Sequence, residues 1–201
     1  MIQLVKRAMK SDTDAFLELM ERCSGAMYKV ARGILKNDED VADAIQDTIL
    51  TCFEKLHTLK KPEYFKTWMI RILINECNQI LQHYRNLNMP EQFPDFGRHD
   101  SSLAEFEFKE MLEMVDEKYR IVLVLYYVEG FKVPEISKLL DMNENTVKTR
   151  LSRAREQIRS AYTDTNSSGK SKGNMAHAHH EDDMEKQGGD SDEKTNRFQF
   201  G

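Results

Sequence analysis

Three stretches of this chain combine residue types and spacing that suit chemistry or recognition. The first, "ENTVKTRLSRAREQIR" (Glu144–Arg159), holds five basic residues in a helix-forming run. The second, "LKKPEYFKTW", gathers Lys60, Lys61, Tyr64, Phe65, Lys66 and Trp68, cations beside stacking surfaces. The third, "DVADAIQDTILTCFEKL", sets Asp43 and Asp47 one helical turn apart. Paired carboxylates can serve acid–base work, but no nucleophile, metal set or glycine-rich phosphate loop accompanies them. A fourth stretch, "HAHHEDD", offers His177, His179 and His180 to a transition metal. It lacks a second ligand cluster, so it is a weak metal candidate. Binding rather than catalysis is the expectation: no enzyme, no catalytic residue, no metal, no cofactor.

Charge sharpens the choice of partner. The whole chain of 201 residues carries a net −5, which argues against indiscriminate nucleic-acid binding. Yet Lys148–Arg159 alone has five basic residues and one acid, a net +4. From Thr163 onward, five basic residues face eight acids, a net −3. Local charge, not the average, selects the partner. Cys23, Cys52 and Cys77 are far apart and odd in number, so reduced, buried thiols are expected. No apolar run approaches the ~20 residues of a membrane span, and the N-terminus has no signal-peptide core. A soluble, cytoplasmic protein without direct membrane insertion is expected.

The elements that must position these stretches are helical throughout. In the first block, "SDTD" offers N-caps, and Phe16, Leu17, Met20, Met27, Val30, Ala31, Ile34 and Leu35 keep helical spacing. "KNDED" breaks the pattern and places acids at the positive end of the next helix dipole. "VADAIQDTILTCFEKL" is a second amphipathic helix, and "EYFKTWMIRILINECNQILQHYR" a third. "NLNMPEQFPDFGRHDSS" then interrupts with two of the four prolines and reads as an extended, flexible linker. The reading is all-α: a helical bundle at 1–85, a linker at 86–102, a small helical domain at 103–162, and a disordered acidic tail at 163–201.

In the small domain, "VPEISKLL" has Pro134 in a first turn and Ile136, Leu139 and Leu140 on its buried side. "DMN" supplies a tight turn in which Asp141 tolerates left-handed backbone and Asn143 caps the following helix. Two helices about so short a turn predict a helix-turn-helix. At about 100° per residue, Val147, Leu151, Ala154 and Ile158 form one stripe. Lys148, Thr149, Ser152 and Arg153 spread over the opposite side, with Arg150 and Arg155 on the flanks. A basic helix alone could equally line solvent. The preceding helix, the turn and the sorted faces favour DNA.

"EKYRIVLVLYYVEGFKVPEISKLLDMNENTVKTRLSRAREQI" resembles region four of bacterial RNA polymerase sigma factors. "AMKSDTDAFLELMERCSGAMYKVARGILKNDEDVADAIQDTIL", followed by "YFKTWMIRILINECNQILQHYR", is similar to region two. Two such regions with only a short linker resemble the extracytoplasmic-function type (sigma-70 family, group 4). The resemblance spans residues 1–162. It departs at Lys132, where a Ser N-cap is usual, and at Asp141 and Asn145, which are often glycine; the acidic tail has no counterpart.

The resemblance implies an alternative sigma factor that binds core polymerase and directs promoter-specific initiation. Lys148, Thr149, Ser152 and Arg153 would contact bases of the −35 element. Arg150 and Arg155 would hold phosphates or anchor the helix. Lys61, Tyr64, Lys66, Trp68, Arg71 and Asn75 would read and melt the −10 element, although Phe65 and Trp68 suit a helix core equally well. In the acidic helix, Val41, Ile45, Ile49, Cys52 and Leu56 make the buried side. Asp43, Gln46, Asp47 and Glu54 surround Leu50 on the other, an apolar anchor in an acidic face that suits a partner. In the family this surface meets the clamp helices of the largest polymerase subunit, while region four meets the flap of the second-largest. An anti-sigma partner, often at the membrane, is implied as well. A free-standing helix-turn-helix regulator would explain the basic helix but leave the first block idle. A scaffold protein would use the acidic helix and not DNA.

Overall fold

The computed structural model describes residues 1–87 and 103–168, and every regular element among them is helical. The expected linker from Asn88 on, the tail beyond Ser168 and the histidines at 177, 179 and 180 lie outside the described residues. The helices are α1 (Ile2–Ala8), α2 (Thr13–Arg32), α3 (Asp38–Lys55), α4 (Phe65–Asn86), α5 (Leu103–Glu113), α6 (Glu117–Leu123), α7 (Val133–Leu139) and α8 (Glu144–Ser168).

Local chemistry explains the boundaries. Asp12 caps α2 by accepting from the Ala15 amide at 2.9 Å. Asn37 caps α3 through the Glu39 amide at 3.0 Å, and Asp38, Glu39 and Asp40 fill its first turn. Arg32 ties these two helices together. Its guanidinium, 8% exposed, donates to the Lys36 carbonyl and to Asp38 Oδ1 at 3.0 Å. A helix the sequence reading did not separate, α1, buries Leu4, Val5 and Ala8 against α2.

The acidic helix sits rotated from its expected register. Val41, Ala44, Thr48 and Cys52 are buried, while Ile45 and Ile49 lie on the margin. Thr48 can occupy the centre because its hydroxyl donates to the Ala44 carbonyl at 2.7 Å, which satisfies the polar atom inside the helix. The last helix also differs from expectation: α8 continues past Tyr162 to Ser168, into the stretch read as tail. Between Tyr162 and Gly169 no proline or glycine stops it, and Thr163 Oγ1 donates to the Arg159 carbonyl at 2.8 Å.

In the second half, α6 runs into a π-helical turn at Val124–Val128, closed by the Glu129 amide on the Val124 carbonyl at 3.0 Å. Gly130 then takes φ +73°, and the Phe131 amide reaches the Leu125 carbonyl at 2.9 Å. That is the reversal a left-handed residue permits. The core does not stop at the boundary between the halves. Met27, Val30, Ile70 and Leu73 belong to the same buried cluster as Val124, Leu125, Phe131 and Ile136.

Candidate functional site

The helix-turn-helix is built as the sequence indicates. Asp141 adopts φ +50°, and the Met142 amide closes back on the Ser137 carbonyl at 3.0 Å. Asn143 Oδ1 accepts from the amides of Asn145 at 2.7 Å and Thr146 at 3.2 Å, and so caps the start of α8. At the start of α7 the Lys132 amide donates to Glu135 Oε2 at 2.8 Å. Lysine has no acceptor to return that bond, so only half of a capping box forms there.

Val147, Leu151 and Ala154 are buried, which fixes the rotation of α8. Lys148, Thr149, Ser152, Arg153 and Arg155 are all exposed, but they are not equivalent. Arg150 donates to the Lys118 carbonyl at 3.2 Å and so anchors α8 to α6. Arg153 pairs with Glu156 at 2.9 Å and lines a groove with Met114, Tyr119 and Gln157. Lys148, Ser152 and Arg155 have no side-chain partner among the described residues. On a wheel they share an arc of about 60° with Arg159. Arg159 is also exposed, and it was not among the contact residues expected from the sequence. This arc is a basic strip wide enough for a groove edge, with donors uncommitted.

The segment at the start of α4 divides in two. Phe65 is buried at 1% exposure, and Trp68 packs partly buried beside it with ring centroids 6.0 Å apart. Lys61 lies over the ring of Tyr64 at 5.8 Å, and Tyr64 is 57% exposed. This outward pair presents a charge and a stacking face together. Lys66, Arg71 and Asn75 are exposed on the same helix. Two of them are engaged by the second half: Lys66 by Glu129, and Arg71 by the Lys138 carbonyl at 3.1 Å.

On α3, Asp43, Gln46, Asp47, Leu50 and Glu54 all face solvent. Asp40, Asp43, Gln46 and Asp47 line one wall of a groove whose other wall is Glu76, Gln79, Ile80, His83 and Tyr84 of α4. Tyr84 donates to Asp40 at 2.8 Å, and that bond, with nearby acids, raises its pKa. Beside the groove the apolar surface is larger than Leu50 alone. Phe53, three residues on from Leu50 along α3, is 60% exposed, its ring edge-on to Phe16 at 5.2 Å. Phe16 and Leu17 were both expected on the core stripe of α2; Phe16 is buried there, while Leu17 is 60% exposed. Phe53 was legible, since it follows Leu50 by three residues on one face.

The thiols take no part in these surfaces. Cys23, Cys52 and Cys77 are buried and unpaired with one another. Burial pushes Cys52 and Cys77 up to about 12, so both stay protonated and unreactive near neutrality.

Comparison with known proteins agrees with this arrangement. A family model described as Sigma-70 region 2 matches residues 19–87, and one described as Sigma-70, region 4 matches residues 105–158. The chain is 28% identical over 136 residues to RNA polymerase sigma factor SigV of Bacillus subtilis, covering 66% of this chain and 81% of that one. It is 24% identical over 179 residues to the ECF RNA polymerase sigma factor SigW of the same organism, covering 80% and 95%. Its fold is similar to CnrH, solved in complex with the cytosolic domain of CnrY: TM-score 0.59, 26% identity, 82% of this chain and 97% of that chain. It is similar also to the sigma factor RpoE of Bartonella quintana, solved with the anti-sigma factor NepR: TM-score 0.60, 22% identity, 74% and 96%. With region 2 on α2–α4 and region 4 on α5–α8, the chain belongs to the sigma-70 family of RNA polymerase sigma factors, and within it to the extracytoplasmic-function type.

Proposed function

We propose that this chain docks on core RNA polymerase through α3, reads the −35 element with α8, and opens the −10 element with residues 61–75. The observation that carries the reading is the division of labour on α8: a capped helix whose buried stripe orients Lys148, Ser152 and Arg155 outward with uncommitted donors. The acidic groove on α3 and α4, with the exposed Leu50 and Phe53 also on α3, suits the basic, partly apolar surface of a helical partner. That partner is the clamp helices of the largest subunit, while region 4 meets the flap of the second-largest. Nucleotide addition is the polymerase's chemistry, so the chain works without a cofactor of its own. It acts in the cytoplasm; no helix among the described residues is long and apolar enough to cross a membrane.

CnrH and the Bartonella RpoE were each solved with a partner, an anti-sigma factor in the latter case. By analogy, an anti-sigma factor restrains this chain too, and a membrane-held one would place it at the membrane.

Transcription of a genomic template library by purified core polymerase, with and without the protein, tests the reading. Promoter-specific starts should appear only with it. Their absence with a folded sample defeats the proposal, and tight promoter binding without polymerase would favour a free-standing regulator. Asp47→Ala with Leu50→Ala should weaken core binding by roughly tenfold to a hundredfold while the fold persists, because both side chains face solvent. Titration of labelled protein with core polymerase measures this.

A further inference from the structure

The basic strip on α8 has a complement within the same chain. Lys148, Ser152, Arg155 and Arg159 are all exposed on one arc of the helix, with no side-chain partner among the described residues. No acid of α8 falls inside that arc: Glu144 and Glu156 lie about 20° and 40° beyond its edges. Arg150 and Arg153 are set apart from it, one held by the Lys118 carbonyl and the other by Glu156. Beyond Ser168, where α8 ends, the sequence runs through residues 169–180 without a single acid. Residues 181–193 then hold seven carboxylates and one lysine, a net −6. The chain between Ser168 and Glu181 can span at most about 45 Å. At 1.5 Å per residue the helix end lies about 14 Å from Arg159 and about 30 Å from Lys148. The acidic run can therefore reach the whole strip.

We propose that residues 181–193 dock on the strip formed by Lys148, Ser152, Arg155 and Arg159. Given the −35 role proposed for that strip, the chain's own acidic segment and promoter DNA are rivals for one surface. Charge selects the occupant. Carboxylates offer lysine and arginine the same kind of anionic oxygen acceptors as phosphates do. The tether selects the place. The segment is attached to the strip's own helix, which presents it at an effective concentration on the order of millimolar. The acidic face of α3, with Asp43, Asp47 and Glu54 exposed, repels it. Exposed ion pairs are individually weak and screened by salt, so several must act together to hold the segment. A duplex carries one phosphate per about 1.7 Å of its axis, a denser line of charge than seven carboxylates spread over thirteen residues. Promoter DNA held by the polymerase complex therefore displaces the segment, while brief contacts with other DNA compete against it.

The test is zero-length carbodiimide coupling of the full chain at low salt, read by peptide mass spectrometry. Each lysine's yield is corrected for its reactivity toward acetic anhydride. Lys148 should couple to residues 181–193 at least fivefold more than Lys132 and Lys138, exposed lysines of the same half. Arg155→Gln with Arg159→Gln should cut the Lys148 yield at least threefold, and circular dichroism checks that the helices persist. Equal yields at the three lysines, or a Lys148 yield unmoved by the arginine changes, overturn the docking. Mixing isotope-labelled with unlabelled chains identifies whose segment is bound. Coupled peptides of mixed label would place a second copy's segment on the strip and overturn docking within one chain. Adding core polymerase with a cognate promoter duplex should lower the Lys148 yield at least fivefold. If the docking results hold but promoter DNA leaves that yield unchanged, the segment stays on the strip and the −35 assignment is what fails.

Discussion

Phe65→Ala is expected to cost about 3–5 kcal/mol of folding stability, the range for a buried aromatic replaced by a cavity. Against a total of roughly 5–15 kcal/mol for an ordinary domain, that leaves the protein marginal. The reason is position. Phe65 is 1% exposed at the first residue of α4, in the core shared by both halves, with Trp68 packed beside it. Urea denaturation followed by the emission of Trp68, the one tryptophan of the chain, measures the loss at the site itself. Phe53→Ala is the matched control. Its ring is 60% exposed, so stability should change by less than about 1 kcal/mol. A large loss in the control and a small one for Phe65 would contradict the division of this surface into core and docking face.

The second large effect separates the arginines of α8. Arg155→Ala should lower initiation from a cognate promoter by roughly tenfold to a hundredfold, equivalent to about 1–3 kcal/mol of binding. If Arg155 holds a phosphate, the salt dependence of promoter binding should also drop by about one unit of log–log slope. Arg150→Ala should instead act on the fold. Its guanidinium holds α8 to the Lys118 carbonyl, so thermal stability falls while the salt slope barely moves. Promoter titrations of the holoenzyme at several salt concentrations, beside melting curves of the free variants, distinguish the two. Equal salt slopes for Arg155→Ala and wild type would remove Arg155 from the phosphate contacts.

Much of this was legible in the residues because it depends on local chemistry. Asp12, Asn37 and Asn143 cap helices through bonds spanning two or three residues, and Asp141 takes left-handed backbone next to its own helix end. The stripe of Val147, Leu151 and Ala154 follows from helical period alone. What the sequence could not supply depends on partners distant along the chain. Arg150 and Arg155 both flank the core stripe on a wheel, and only the packing of Arg150 against α6 separates them; the partner of Arg153, Glu156, is likewise seen only in the structure. Lys66 and Arg71 read as free cations, yet their partners lie more than sixty residues away. The rotation of α3 was misjudged because Thr48 looks polar, while its hydroxyl is satisfied within its own helix. Leu17 was misjudged for the converse reason, as period alone cannot say which of two adjacent apolar residues faces inward.

The continuous core of α2, α4 and the π-turn has a consequence for how the molecule comes apart. Two domains on a tether ordinarily unfold as separate events, each with its own midpoint. Here the apolar side chains of each half complete the other's interior, so loss of either exposes the other to water. The free chain should melt as a single cooperative unit, with the calorimetric enthalpy of both halves under one transition. Gly33, where an added Cβ would lie 3.3 Å from Val124 Cγ2 across the seam, is the place to test this: Gly33→Leu should resolve that transition into two.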